Sequence, residues 1–275
     1  MEERPKPPGL VSDWTTLRDA YEAMTCDSGH RWVYRGQRDS QWGLRSSLER
    51  ALTRFHRPLE DTPFVERWLV AEFKRHAHRY NTETPHDDDI FRWLALMQHH
   101  GAPTRLLDFS YSFYVAAFFA VERAGLGDRC AIWAIDQAWC WDRAKQRLPG
   151  HLIGAIELDP TRGKTPAIQT KVLENQVCAV MPDNPFFLDE RLAVQQGVFL
   201  VPLDVTKSFM HNLFGSADRH EAPGYVHKFE ICVTEAFLLG ALSDLKRMNI
   251  SRVSLFPGLD GLAGSLGVRI ATDTA

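Results

Sequence analysis

Strand-like and helix-like segments alternate irregularly along this chain, and this pattern limits the possible folds more than any other feature. Aromatic and β-branched residues, which favour strands, dominate residues 31–35, 129–135, 197–201 and 225–233. Apolar residues recur at helical spacing in residues 63–80, 87–101 and 235–248. Because strands and helices do not follow a regular βαβ rhythm, the pattern predicts an α+β fold: one compact domain with a mixed or antiparallel sheet and flanking helices.

Shorter segments complete this prediction. Residues 104–108 and 251–256 are expected to be strands. The region 136–190, rich in Pro, Asp and Gly, is expected to form loops with short strands, including residues 155–158. Asp87 or Asp88 should cap the helix that ends at Gly101, Ser110 or Ser112 should cap the apolar helix after it, and Thr234 should cap the helix at 235–248.

Composition favours a globular protein of the cytoplasm. Of 275 residues, 44% are hydrophobic, and no apolar run approaches the roughly 20 residues that a membrane-spanning helix requires. The N-terminal sequence MEERPKPPGL lacks the apolar core of a signal peptide, and five scattered cysteines lack zinc-site spacing. We therefore expect a cytoplasmic protein with no membrane partner, no disulfides and no bound metal.

Charge is distributed unevenly. The net charge of −3 gives no global signature of a nucleic-acid-binding protein. Residues 31–79, however, are rich in Arg and His, with Trp32, Trp42 and Trp68 between them. Such a composition suits contact with phosphates and stacking on bases, and it is equally typical of a solvated helix face.

Familiar catalytic motifs are absent from the sequence: there is no phosphate-binding Gly-rich loop, no GxGxxG, no HExxH and no GxSxG. Kinase, zinc protease and α/β-hydrolase functions lose support accordingly. Polar residues at the ends of apolar segments remain as candidates. The first group is Tyr34, Arg35, Gly36 and Gln37, where Arg35 could hold a phosphate or pyrophosphate, or else pair with a carboxylate beside a turn.

The second group is the sequence QHHGAPTRLLDFS at residues 98–110. Its polar side chains must pair with one another or with a ligand if they are buried, and an ion pair between Arg105 and Asp108 is expected to brace the turn. His99 and His100 are neighbours and point in different directions, which argues against a metal site. In a third group, Gln195 and Gln196 either cap sheet hydrogen bonds or bind a ribose hydroxyl or base edge.

Together, YRGQ, QHHGAPTRLLDFSYS, RLAVQQGVF and SLFPGLDGLA resemble the FRG domain in order and spacing. The resemblance covers residues 30–265. It leaves residues 1–29 as an N-terminal extension with a first helix and residues 266–275 as a C-terminal tail.

A second resemblance is to toxin-type ADP-ribosyltransferases, with an aromatic-Arg first strand, a Ser-rich strand leading into an Ala/Phe-Ala helix, and a catalytic Glu at a later strand. It implies an ADP-ribosyltransferase-like fold with NAD as co-substrate. Arg35 would hold the pyrophosphate and Ser110 or Ser112 the ribose. The wider set of NAD-binding residues would be Tyr34, Arg35, Gly36, Gln37, Gln98, His99, Thr104, Arg105, Ser110 and Ser112.

The same resemblance assigns the catalytic position to Gln195 and Gln196, with Glu190 or Glu230 as the alternative carboxylate. The implied function is that of a toxin or defence effector that modifies nucleic acid or protein. Two other functions stay open: a non-catalytic module that binds nucleic acid or a phosphate ligand, and a metal-dependent hydrolase or nuclease using His99, His100 and Asp108. The enzyme hypothesis requires the three segments to converge on one crevice with Arg35 turned inward.

Overall fold

The computed structural model describes residues 9–26, 29–80, 84–159, 165–184, 190–215, 222, 224–259 and 261–266. In this part of the chain, six strands form one sheet: β1 (Trp32–Gln37), β2 (Leu107–Ser110), β3 (Arg129–Asp136), β4 (Val180–Asp183), β5 (Gly197–Pro202) and β6 (Val226–Cys232). Their order is β4-β5-β2-β1-β3-β6, and all neighbours are antiparallel. The predicted α+β class with an antiparallel sheet is confirmed.

Helices flank the sheet. They are α1 (Trp14–Thr25), α2 (Ser47–Arg54), α3 (Thr62–Ala77), α4 (Ile90–His99), α5 (Phe113–Val121), α6 (Gln137–Arg147), α7 (Gly150–Leu158), α8 (Pro166–Glu174), α9 (Glu190–Val194), α10 (Phe209–Phe214), α11 (Glu235–Arg247) and α12 (Arg252–Leu255). A 3-10 helix at Leu59–Asp61 precedes α3. Among the described residues, no helix combines the length and the apolar character needed to cross a membrane.

The two faces of the sheet bury different apolar clusters, because successive side chains of a strand point to opposite faces. Tyr34 of β1 belongs to a cluster with α1, α5 and α11, which includes Trp14, Phe113 and Phe237. Its neighbour Val33 belongs to another cluster, with residues of β2, β5 and α10. A further cluster forms between α3, α4, α7, α8 and β5. The central strand β1 is therefore covered on both faces, whereas Asp108 of β2 is exposed.

Several predicted helix boundaries are confirmed. The segments expected at 63–80 and 235–248 are α3 and α11, and a helix is present in the N-terminal extension. Ser112 caps α5 by accepting from the Val115 backbone N–H, and Thr234 caps α11 by accepting from that of Phe237. The cap of α4 is Asp89 rather than Asp87 or Asp88, since Asp89 accepts from the Arg92 N–H.

Two predicted strands are helices. Residues 155–158 belong to α7, in which Leu152 and Ile156 are buried one helical turn apart. Residues 251–256 contain α12, which begins with a capping box between Ser251 and Ser254. In each case a short apolar segment fits both periodicities, and packing or capping selects the helix.

The prediction of loops with short strands across residues 136–190 is wrong for α6, α7 and α8, which are helices, whereas β4 is a short strand in this region. Asp136 caps α6, and Pro166 stands at the start of α8. Residues 104–106 precede β2 instead of forming part of it. The Thr104 N–H donates to Ser47 Oγ, and the Thr104 carbonyl accepts from the Leu48 N–H, so this segment is joined to α2 instead of the sheet.

Candidate functional site

Arg35 lies near the centre of the sheet, on β1. Its Nη1 donates to the Asp108 carbonyl on β2 at 2.6 Å, and its Nε is buried without a hydrogen-bond partner. Within the described part of the chain, no carboxylate forms a salt bridge with this guanidinium. Burial lowers the pKa of Arg35, and the negative charge of Asp108 acts in the opposite direction. The side chain is therefore an inward-facing cation with unused donor capacity, next to residues 104–112.

The other residues of the YRGQ segment have structural contacts. Tyr34 is buried, and its ring lies edge-on to Tyr21 and Phe113. Gly36 faces α5: an added Cβ would lie 1.9 Å from the Ala116 carbonyl oxygen, so the glycine permits the helix to approach the strand. Gln37 is buried, accepts from Trp133 Nε1 at 2.8 Å and donates to the Gly43 carbonyl. Of the four residues, Arg35 is the one with a buried side-chain donor that has no hydrogen-bond partner.

Gln98 connects the end of α4 to β2. Its Nε2 donates to Asp108 Oδ2 at 2.9 Å and to the Leu106 carbonyl at 3.3 Å, and its Oε1 accepts from the Thr104 hydroxyl. The chain turns after α4 at Gly101, whose φ of +81° suits glycine. The expected pairing among the polar groups of this segment is present, and it orients the Asp108 carboxylate.

The predicted ion pair between Arg105 and Asp108 is wrong. Arg105 is buried and forms a bidentate pair with Glu66 of α3, with Nε 2.7 Å from Oε1. Asp108 is exposed and bonds instead to Gln98. Alternate residues of an extended segment point in different directions, and the register places Arg105 toward α3. Arg105 therefore has a structural role in the fold.

The hydroxyls of the second candidate strand have backbone partners. Ser110 Oγ donates to the Gln195 carbonyl at 2.7 Å and accepts from the Ser112 N–H at 2.9 Å. Gln195 Nε2 donates to the Leu255 carbonyl at 2.9 Å. Gln196 is exposed, has a φ of +48°, and its carbonyl accepts from the Tyr111 N–H. These bonds hold the start of β5 against the end of β2.

An open cleft of about 250 Å³ lies at this junction. Three predicted site residues line it: Gln98, His99 and Gln195. Asp108, which was expected to pair with Arg105 or to serve a metal-dependent hydrolase, also lines it. Glu190, at the exposed start of α9, does not belong to the lining.

The lining also contains two arginines that were not among the predicted site residues, Arg50 of α2 and Arg191 of α9. Arg191 begins the RLAVQQGVF segment, and its guanidinium carbon lies 4.6 Å from the centroid of the Phe256 ring. Arg50 lies close enough to Arg35 for the two positive charges to repel. A cleft with two arginines and one carboxylate, Asp108, in its lining is suited to an anionic ligand. Arg35 does not belong to the lining, and it bonds to the backbone carbonyl of Asp108.

No group of three or more His, Cys, Asp or Glu side chains among the described residues is arranged to hold a metal ion. His99 and His100 have their ring centroids 4.9 Å apart, at nearly perpendicular orientation. Known metal-dependent hydrolases and nucleases use ligand sets that converge on one point, and this pair does not form one.

A comparison with family models gives a match over part of the chain. Residues 30–128 match the family model described as the FRG domain. A search of curated proteins and a search of solved structures each find no match to the chain. The matched segment contains β1, β2 and α5, with Arg35, Gln98 and Asp108, whereas β5 and Gln195 lie outside it.

Proposed function

Residues 30–128 match the FRG domain, and from that premise we propose that the chain is an NAD-dependent ADP-ribosyltransferase-like protein. In this proposal the dinucleotide binds at the cleft lined by α2, α4, β2, α9 and β5, beside Arg35 of the neighbouring strand β1. The observation that carries the proposal is the adjacency of β1, β2 and β5 in the sheet. It brings the aromatic-Arg element, the Ser-rich strand with its following helix, and the Gln195–Gln196 segment together, as the ADP-ribosyltransferase resemblance requires.

Electrostatics supports a pyrophosphate ligand. Arg35 has a buried, unpartnered Nε, and Arg50 and Arg191 line the cleft. Guanidinium groups bind phosphate oxygens through charge-assisted, often bidentate hydrogen bonds. In this proposal the diphosphate of NAD supplies the negative charge that the protein leaves unmatched around Arg35.

The chemical step breaks the bond between nicotinamide and ribose, and positive charge develops on the ribose as the bond lengthens. Groups that interact more strongly with this charge than with the ground state accelerate the step. Asp108 is the carboxylate among the lining residues, and Gln98 orients it. Gln195, Gln196 and Glu190 remain the candidates drawn from the family resemblance; for Gln195, donation to Leu255 fixes the amide in place.

A test is calorimetric titration of the full chain with NAD, using Arg35→Ala, Arg35→Lys and the control Arg247→Ala. Arg247 is an exposed arginine at the end of α11. Loss of a charge-assisted hydrogen bond predicts that Arg35→Ala weakens binding by roughly tenfold to a hundredfold. The affinity of the Arg35→Lys variant for NAD should lie between those of Arg35→Ala and the parent, because lysine keeps the charge without the planar guanidinium. Arg247→Ala should bind as the parent does.

Incubation with NAD labelled in the adenosine part tests turnover. Transfer of label to an acceptor, or release of nicotinamide, is expected from the parent and the control variant and not from Arg35→Ala. If the parent neither binds NAD nor transfers label, the proposal is wrong. Thermal unfolding of each variant separates loss of binding from loss of fold.

A second candidate is a non-catalytic module for phosphate ligands. It is favoured by the hydrogen bonds that already occupy Ser110 Oγ and Gln195 Nε2 and by the position of Glu190 outside the cleft. Equal affinity for NAD, ADP and inorganic pyrophosphate, with no release of nicotinamide, would identify this function.

A further inference from the structure

Helices α2 and α3 present large aromatic side chains to solvent. Phe55, at the end of α2, is 70% exposed, and Phe64 and Trp68 of α3 are 64% and 56% exposed. Phe64 and Trp68 are four residues apart, so they lie on one side of α3. We call this the α2–α3 face, made up of Arg54, Phe55, Phe64, Arg67 and Trp68. Exposed aromatic rings in such a group are unusual for a surface without a partner.

Positive charge on this face is not neutralised by neighbours. Arg54 and Arg67 are exposed, and within the described residues neither forms a salt bridge. The Arg54 guanidinium carbon lies 5.6 Å from the centroid of the Phe55 ring. Arg67 immediately precedes Trp68. The face therefore combines exposed cations with exposed rings, and Arg54 contacts the Phe55 ring directly.

Most acidic residues of these helices are turned inward or already paired. Glu49 is buried and accepts from the Phe209 N–H, and Glu66 is buried against Arg105. Asp61 pairs with Arg57, and Glu72 with Arg75. The exposed Glu60 remains, on the 3-10 turn before α3. This arrangement separates charge: negative groups are used internally, and Arg54 and Arg67 face solvent.

The face connects to the cleft through α2. Arg50 lines the cleft and Arg54 lies one helical turn further along the same side of α2. A strand of nucleic acid offers phosphates at regular intervals for the arginines and bases for stacking on the rings, whereas an acidic peptide lacks the bases. We propose that the α2–α3 face binds single-stranded nucleic acid, with the strand leading along α2 toward the cleft. The idea that this nucleic acid accepts the ADP-ribose group rests on the proposed function. Binding of the nucleic acid to the α2–α3 face does not.

Trp32, Trp42 and Trp68 differ in their availability for this role. Trp32 is buried in the core, whereas Trp42 is 50% exposed and Trp68 56%. Trp68 is the tryptophan of the α2–α3 face, so its fluorescence is the best single reporter of a bound base. Stacking on its indole is expected to quench its fluorescence.

The test measures binding of the full chain to fluorescein-labelled 20-nucleotide oligouridylate, oligothymidylate and a duplex of equal length, in the absence of NAD. The Phe64→Ala/Trp68→Ala double variant is expected to bind the single strands about tenfold or more weakly than the parent, because each stack contributes to affinity. Arg54→Ala and Arg67→Ala should each lower the slope of log affinity against log salt by about 0.7. Leu126→Ala and Arg247→Ala, at an exposed leucine and an exposed arginine elsewhere, should bind as the parent does.

Three results would overturn the proposal. The first is that the parent does not bind single strands at about 50 mM salt, a condition that favours phosphate contacts. The others are that the double variant binds single strands as tightly as the parent, or that the parent binds the duplex as tightly as the single strands. Self-association of the parent that Trp68→Ala abolishes, without nucleic-acid binding, would assign the face to a second copy of the chain. Because NAD is absent from the nucleic-acid binding experiment, its result is independent of the NAD titration.

Discussion

Arg35 and Arg105 are both inward-facing guanidinium groups, yet their surroundings differ. Arg105 has the carboxylate of Glu66 as its bidentate partner, and the pair joins α3 to the segment before β2. Arg35 has a backbone carbonyl as its acceptor and keeps a buried Nε without one. Each guanidinium has one buried nitrogen without a hydrogen-bond partner, Nε in Arg35 and Nη1 in Arg105, so the difference lies in the counter-charge. Glu66 contacts Arg105 directly, whereas Asp108 acts on Arg35 without a salt bridge, so an external anion would stabilise Arg35 more than Arg105.

Glu66→Gln tests the structural role of Arg105. The substitution removes the counter-charge and leaves a buried guanidinium, so we expect the free energy of unfolding to fall by about 3–5 kcal/mol. Urea denaturation measures this change. Glu72→Gln, on the same helix but in a surface pair with Arg75, should change stability by no more than about 1 kcal/mol. If both substitutions lower the free energy of unfolding equally, the buried Arg105–Glu66 pair contributes no more stability than the surface pair.

At the scale of elements, the contact between β1 and α5 determines how the central sheet is covered. The backbone of α5 lies so near Gly36 that an added Cβ would be 1.9 Å from the Ala116 carbonyl oxygen and 2.6 Å from the Ala120 nitrogen. Both are backbone atoms, which cannot rotate away as a side-chain end can. The apolar helix Phe113–Val121, with small alanines facing the strand, therefore packs directly on β1.

Gly36→Ala should separate these two elements. We expect the free energy of unfolding to fall by about 3 kcal/mol, because overpacking forces the helix from the strand. Gly154→Ala is the matched control: it lies within α7, an added Cβ meets nothing within 4 Å, and alanine should stabilise that helix by up to about 1 kcal/mol. Chemical denaturation of both variants measures the difference, and a stable Gly36→Ala protein would contradict the close packing.

For the whole molecule, the sheet joins segments far apart in sequence. Within residues 30–128, β1 and β2 share one registered pair, Tyr34 with Ser110. The longer pairings are with strands beyond residue 128: β3 pairs with all six residues of β1, and β5 with all four of β2. In addition, α1 packs into the same core cluster as α5 and α11, and Trp14 Nε1 donates to Asp244.

A fragment of residues 30–128 is therefore expected not to fold by itself. It would leave both central strands with unpaired edges and expose apolar residues that β3 and β5 normally cover. Thermal unfolding followed by circular dichroism should show no cooperative transition for the fragment, whereas residues 9–266, which contain every described element, should show one. A cooperative transition in the fragment would mean that the matched segment is an independent folding unit.

Elements that depend on interactions between neighbouring residues could be predicted from the sequence, and elements that depend on distant contacts could not. The caps at Ser112 and Thr234, the glycine stop at Gly101 and the strand with Arg35 depend on neighbouring residues, so local patterns predicted them. Residues 155–158 and 251–256 were mistaken for strands because a segment of four to six residues fits either periodicity, and contacts from elsewhere decide between them.

The sequence by itself determined the α+β class, most element positions and the presence of Arg35 on a strand, and the strand order placed that strand near the centre of the sheet. The tertiary structure decided which polar groups pair: Arg105 with Glu66, Ser110 with the Gln195 carbonyl, and Arg50 and Arg191 beside one cleft. The physical reason is that periodicity and capping act over a few residues, whereas the partner of a buried polar group depends on strand order and register across the whole chain.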